Sequence, residues 1–514
     1  MRYLFILLFS ISCVFIYAQS GYKNPVISGF YPDPSICRVG EDYYLATSTF
    51  EYFPGVPVFH SKDLINWKQI GHCLTRKSQL PLENCGPSSG IYAPTIRFHE
   101  GVFYMTTTNL HSGGNFYVTT TDPAGEWSEP IYVKQGGIDP TIFFDNGKAY
   151  FLSTGRGITM SEINIKTGEL LGSPRSIWNG TGGRYPEAPH LYKKDGYYYL
   201  LIAEGGTEFG HKITIARSRN IWGPYDSNPA NPILTHANEN AQHNQIQGVG
   251  HGDLVQAVDG SWWMVHLGFR VQARAHHLLG RETFLAPVRW DENAWPVVNG
   301  NGTVSIDMKC ETLPLYPFPK SPSKLDFRIE TFPLEWTYLR NPDFSKYKLL
   351  LQEGILRLQG NKKTLDDTAS PTFVGRRQQH IDFTATVEIS NYNIQKKGKG
   401  GMTVYMDNNS HYDLYLTNNR SLELRCKLGN IDYIVKRIPV NKKKLFIRVQ
   451  GTNTQYKFYY SSNDKEYIHL GDLDVKYLSS ETTISFTGIF LGLFAEGTGN
   501  NIDFSSFEYV GNEK

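Results

Sequence analysis

The sequence predicts an all-β chain: a five-bladed β-propeller followed by a β-sandwich. Three observations carry that expectation. A short motif recurs five times in roughly the first three hundred residues. Strand signals dominate, and no long stretch keeps a helical period. A run of prolines then separates this repeating part from a second β-rich region in which the motif is absent.

Residues 1–18 read as a signal peptide. Arg2 supplies positive charge, Leu4 to Tyr17 form an apolar run, and Ala18 offers a small residue before Gln19. The run is too short for a comfortable membrane span. Cys13 raises a lipid-anchored alternative, but no Leu stands three residues before it, so plain export is the reading.

Residues 19–313 hold the repeats. The copies are Asp33-Pro34-Ser35-Ile36, Ala93-Pro94-Thr95-Ile96, Asp139-Pro140-Thr141-Ile142, Ala188-Pro189-His190-Leu191 and His251-Gly252-Asp253-Leu254. Each is followed some ten residues later by an aromatic, β-rich run, in four copies entered through a Gly, and the copies are roughly 45–65 residues apart, the size of a propeller blade. The expected strands are Tyr43–Ser48, Phe103–Thr108, Ala149–Ser153, Tyr197–Ala203 and Trp262–Leu267, bounded by Gly, Asn and Asp. Pro314, Pro317, Pro319 and Pro322 favour an extended linker over 314–324. Residues 325–514 then carry strand candidates from Phe383–Ile389 through Ile484–Phe486 to Phe504–Tyr509. Alternation in Phe383-Thr-Ala-Thr-Val-Glu-Ile favours two packed antiparallel sheets.

Repetition puts the leading residue of every copy at an equivalent place, and inner strands of a propeller all face one axis. Asp33, Asp139, His251 and, one step upstream of its copy, Glu187 are therefore expected to meet in one pocket. A lone Asp-Pro is usually a turn. Three registered acids are harder to explain structurally, because buried charge is costly unless paired, and neighbouring acids raise one another's pKa. Two carboxyls in different protonation states suit cleavage of a glycosidic bond. A metal cage is the rival use of such a cluster, but no second His lies in register.

Net charge is +2, so nothing asks for nucleic acid or an acidic membrane surface. Aromatic content is 14%, which suits a β-rich core and sugar stacking equally. After the leader, Cys37, Cys73, Cys85, Cys310 and Cys426 remain; Cys73 and Cys85 could close one loop or stay free. No CxxC spacing suggests zinc.

Asn24-Pro25-Val26-Ile27-Ser28-Gly29-Phe30-Tyr31-Pro32-Asp33-Pro34 and Ser48-Thr49-Phe50-Glu51-Tyr52-Phe53-Pro54-Gly55-Val56 resemble glycoside hydrolase family 43. So do Gly137-Ile138-Asp139-Pro140, Pro186-Glu187-Ala188-Pro189-His190, Gly250-His251-Gly252-Asp253 and Leu279-Gly280-Arg281-Glu282-Thr283. The match is to the β-xylosidase and α-L-arabinofuranosidase branch, which also carries a C-terminal sandwich of concanavalin-like jelly-roll type. The resemblance implies Asp33 as general base, Glu187 as general acid and Asp139 as the residue that raises the acid's pKa and orients it. It implies Arg281 and His251 lining the sugar subsite, Arg281 holding a sugar hydroxyl. It implies Phe50 as an aromatic wall and Phe486 on a loop reaching over the pocket. Tyr92 stands where many members have Trp, which bears on the choice between xylose and arabinofuranose.

The family inverts the anomeric centre, implying a base–acid separation of about 6.5–9.5 Å. It needs no cofactor, although some members place a water-bound calcium near the residue matching His251. The expected activity is exo-acting release of pentoses from oligosaccharide or polysaccharide. An endo-acting arabinanase with an open groove, and a carbohydrate-binding propeller without catalysis, are the rival readings; a retaining fructosidase lacks its usual signatures. Two further points stay open: self-association, and whether the polar run His236 to Val249 is a surface loop or a rim touching the aglycone.

Overall fold

The computed structural model describes residues 21–238, 243–395, 397–418 and 420–512. The leader reading of residues 1–18 lies outside them, as do residues 239–242 of the polar run. Among the described residues no helix is long and apolar enough to cross a membrane.

Five antiparallel sheets form the blades of a propeller, each with its strands laid from axis to rim in chain order. The inner strands are Ser35–Val39, Thr95–His99, Thr141–Asp145, Glu187–Lys194 and Ile246–Gln256. They contact one another around the ring. The expected aromatic runs form the second strands, for instance Val102–Asn109 and Trp262–Arg270; their side chains fill the space between blades. The N-terminal strand Gly21–Lys23 pairs with Asp307–Lys309, tying the start of the propeller to its end.

A polar plug fills the axis below the pocket. Asp253 is fully buried and accepts hydrogen bonds from Arg97 (2.7 and 3.2 Å), Ser35 Oγ (2.7 Å), Tyr192 Oη (2.6 Å) and the Ile36 amide (3.0 Å). These partners come from three other blades. The Arg97 charge holds the Asp253 carboxyl well below the usual range, so the pair stays ionised and fully bonded.

The second region is a sandwich of two large sheets. The alternation read in Phe383–Ile389 falls in the strand Phe383–Asn393 and places Phe383, Ala385, Val387 and Ile389 in the core. One expected strand is not there. Ile484–Phe486 is a loop: Ile484 takes a left-handed backbone (φ 56°) that ends the short helix Ser480–Thr483. The apolar character of Ile484 and Phe486 reflects their place at the pocket rather than a pleat. Residues 310–323 contain no strand; Leu313 is buried, and the Tyr316 amide donates to Asp63 (2.8 Å). Among the described residues all five cysteines are free thiols, Cys73 and Cys85 included.

The two regions share a sheet. Tyr52–Phe53, from the first blade, pairs with Trp336–Leu339 and so becomes the edge of one sandwich sheet. Tyr52 is buried and stacks on Phe490 with centroids 3.9 Å apart. Phe30, Phe50, Tyr52, Leu339, Phe373 and Phe490 belong to one apolar cluster spanning both regions. The buried Arg377 of the sandwich donates to the carbonyl of Phe30 (2.6 Å) and lies over the Tyr31 ring at 4.4 Å. Tyr52→Ala is expected to cost about 3–5 kcal/mol, as for other large buried aromatics. Denaturant unfolding measures it; a loss below about 1 kcal/mol would show that this interface contributes little to stability.

Candidate active site

All eight residues singled out in the sequence border one cavity of about 570 Å³ at the top of the propeller axis. Local backbone irregularity aims them there. Asp33, Asp139, Ala188 and His251 all have left-handed backbones, with φ between 47° and 55°. Such conformations cost a non-glycine residue about 1–3 kcal/mol and persist only where the surroundings enforce them. In the fourth blade the register slips by one residue between Glu187 and His190. This bulge brings Glu187, one step ahead of its motif, into the pocket. Two similar slips occur in the fifth blade, one between Gln247 and Gly250 and one between Gly250 and Asp253 that contains His251.

Asp33 is buried and held on both oxygens. Ser48 Oγ donates to Oδ2 at 2.5 Å, and Arg281 donates to Oδ1 at 2.6 Å. His251 Nδ1 lies 3.7 Å from Oδ1, and burial keeps this imidazole neutral by lowering its pKa. Glu282 does not pair with Arg281; it binds Arg270 (2.7 and 2.8 Å) and the Gly29 amide (2.7 Å).

Asp139 and Glu187 have no such partner. Burial raises the Asp139 carboxyl far above the usual range, and the charges of Glu187 and Asp33 push the same way. The amide of Ala188, next in the chain to Glu187, bonds Asp139 and links the two acids. Glu187 is pushed up to about 7, by burial first and then by Asp33, with Arg281 opposing. One carboxylate is thus ion-paired while its neighbours favour protonation. That is the division of labour an acid–base pair requires.

Aromatic rings position the cation. Arg281 lies over Phe50 (5.4 Å) and Phe486 (5.6 Å), and its Nη2 donates to the Phe486 carbonyl at 3.3 Å. Tyr92 packs on Phe50 at 5.2 Å. Phe50 is almost wholly buried, so it orients Arg281 more than it offers a face to ligand. Phe486 belongs to the sandwich, and its amide donates to Ser88 Oγ of the propeller (2.8 Å). Gly488 makes this close approach feasible: a Cβ there would stand 2.4 Å from the Leu279 carbonyl.

The sequence reading missed part of the lining. Tyr185, 65% exposed, and Arg184 sit at the mouth just before Glu187; Thr207, Glu208 and Ile484 are among the other residues that line it. The segment Arg184-Tyr185-Pro186 lay beside a motif and carried that signal. None of the described residues of the run His236 to Val249 lines the cavity; His236 bonds the Ile246 carbonyl and the Val304 amide instead.

Among the described residues no three His, Cys, Asp or Glu side chains group to hold a metal. Calcium takes about six to eight oxygen ligands. The carboxylate facing His251 is already engaged by Arg281 and Ser48.

Residues 22–296 match the family model described as glycosyl hydrolases family 43, and residues 324–510 the β-xylosidase C-terminal concanavalin A-like domain. A non-reducing end α-L-arabinofuranosidase from Bacteroides ovatus is 41% identical, the match covering 96% of this chain and 95% of that protein. A xylosidase/arabinosidase from Butyrivibrio fibrisolvens is 39% identical, covering 94% and 97%. The solved structure titled Bacteroides ovatus Xyloglucan PUL GH43B superposes with a TM-score of 0.92 at 40% identity, covering 96% of this chain and all of that one.

The raised carboxyl of Glu187 sets a pH limit. Its acid form is lost as pH rises through about 7, so kcat/KM is expected to fall there, by about tenfold per pH unit beyond it. A flat profile from about pH 6 to about pH 8.5 would remove Glu187 as proton donor.

Proposed function

The chain belongs to the glycosyl hydrolases of family 43, and from that membership we propose an exo-acting, inverting glycosidase that releases terminal pentoses, β-D-xylose or α-L-arabinofuranose, from plant-wall oligosaccharides and polysaccharides. The observation that carries this reading is the ion-paired Asp33 sharing a cavity with the protonation-prone Glu187.

In this reading Asp33, fixed by Ser48 and Arg281, takes a proton from water as the water attacks the anomeric carbon. Glu187 gives its proton to the glycosidic oxygen, and the carbon–oxygen bond breaks. Asp33 ends protonated and Glu187 ionised, and solvent exchange restores both. Asp139 braces Glu187 through the Ala188 amide and keeps further negative charge out of the pocket by staying protonated. The Asp33 ion pair with Arg281 survives the removal of water that substrate binding imposes.

The sandwich loop at Ile484 and Phe486 forms one wall of the cavity. A wall supplied from the second region favours end-on entry over the open groove of an endo-acting enzyme. A carbohydrate-binding propeller would have no use for the strained, unpaired acids. The apolar leader supports export, which places the enzyme where wall polymers are met.

Glu187→Ala is expected to lower kcat/KM on an oligosaccharide by about 10²–10⁴-fold. Near wild-type activity would sink the acid assignment. Paired nitrophenyl β-D-xyloside and α-L-arabinofuranoside identify the sugar. Proton NMR of the fresh product should show the inverted anomer; retention would contradict water activation by Asp33. Linear oligomers should yield monomer first, and a ladder of shorter oligomers would favour the endo reading.

A further inference from the structure

The imidazole of a buried histidine beside the general acid makes a single hydrogen bond. His211 precedes the strand Lys212–Ser218 and is 1% exposed. Its Nδ1 lies 3.1 Å from the carbonyl of Gly248. A carbonyl can only accept, so Nδ1 carries the ring's proton. Burial drives the imidazole's pKa down to about 3, so the ring is neutral and Nε2 is a bare lone pair. That nitrogen has no hydrogen-bond partner. It lies 3.8 Å from Oε1 of Glu187. The ring rests on Gly250, where a Cβ would stand 2.3 Å from Cε1 and Nδ1. Backbone on two sides thus fixes the imidazole with its free nitrogen toward the acid.

An unpaired acceptor in a desolvated site is costly unless a proton comes to lie against it. Resting on the reading of Glu187 as proton donor, we propose that His211 is a positioning residue whose Nε2 holds the Glu187 hydrogen between turnovers. The acid's O–H points at Nε2 in the free enzyme and swings to the glycosidic oxygen when substrate fills the cavity. The gap must close by about 1 Å, and catalytic hydrogen bonds commonly tighten on binding. No proton passes to His211. Once Glu187 has given its proton to the leaving oxygen, its carboxylate faces a lone pair, an arrangement that favours reprotonation before the next cycle. The other charged groups acting here are Asp33, which also favours the acid form of Glu187, Arg281, which opposes it, and Asp139. His211 itself faces His251, Arg281 and Asp33.

The test measures pH profiles and leaving-group dependence of His211→Phe, His211→Gln and Gly250→Ala. Phe keeps the ring's bulk without nitrogen; Gln restores an acceptor; Ala at 250 displaces the intact imidazole. For His211→Phe and Gly250→Ala the alkaline limb should move to lower pH. Hydrolysis of a xylo- or arabino-oligosaccharide at about pH 8 should fall about tenfold or more and recover toward wild type near about pH 5. A dinitrophenyl pentoside, whose leaving group needs no proton, should be hydrolysed within about threefold of wild type, which also certifies folding. His211→Gln should shift the limb back. An equal loss on both substrates at every pH would reduce His211 to a structural role and overturn the proposal, as would an unchanged profile. Glu187→Ala is the control: if it spares oligosaccharide hydrolysis, the acid reading itself fails. If it abolishes that activity while His211→Phe leaves the limb in place, only the present proposal fails.

Discussion

Three carboxyl groups gathered in a desolvated pocket cannot all be ionised, and the placing of one guanidinium decides which of them is. Arg281 is bonded to Asp33 and leaves Asp139 and Glu187 without a comparable partner. The asymmetry makes chemically similar groups into a base and an acid. Its precision rests on how the guanidinium is held. Two rings flank it, and the Phe486 carbonyl takes one of its donors. A small displacement of the cation would spread its charge over all three acids and erase the difference between them.

The second region therefore takes part in the site. Phe486 reaches Arg281 only because the sandwich is docked on the first blade through a shared sheet edge, a stacked Tyr52–Phe490 pair and the glycine at 488. The axial plug below has the matching role for the propeller. Asp253 and Arg97 gather four of the five blades at one point, so the inner segments that carry Asp33, Glu187 and His251 are set against a common reference. Strained backbones at Asp33, Asp139 and His251 are tolerated because this rigid frame leaves them no alternative.

Much of this was legible in the chain. Five repeats fixed the blade count, because each copy leads into or lies within an inner strand, and register alone sent Asp33, Asp139 and His251 toward one axis. Glu187 was harder, being one residue out of step. It belongs with the others only through a bulge, which no period reveals. Phe486 came from resemblance, while its own segment read as a strand; apolar residues at a pocket and on a pleat look alike in sequence. Arg281 was expected to face a sugar hydroxyl, and its bond to Asp33 links positions 248 residues apart. Tyr185 and His211 went unread for opposite reasons: one is exposed beside a motif, the other buried with nothing periodic around it.

Architecture and chemical inventory were written in the order of residues, since local pattern dictates strands, turns and the spacing of repeats. That order also supplied the acids. Tertiary structure alone decided how they differ. Protonation depends on burial and on which charge lies within a few ångströms, and those distances exist only once blades distant in the chain have closed around an axis and the sandwich has been laid against them.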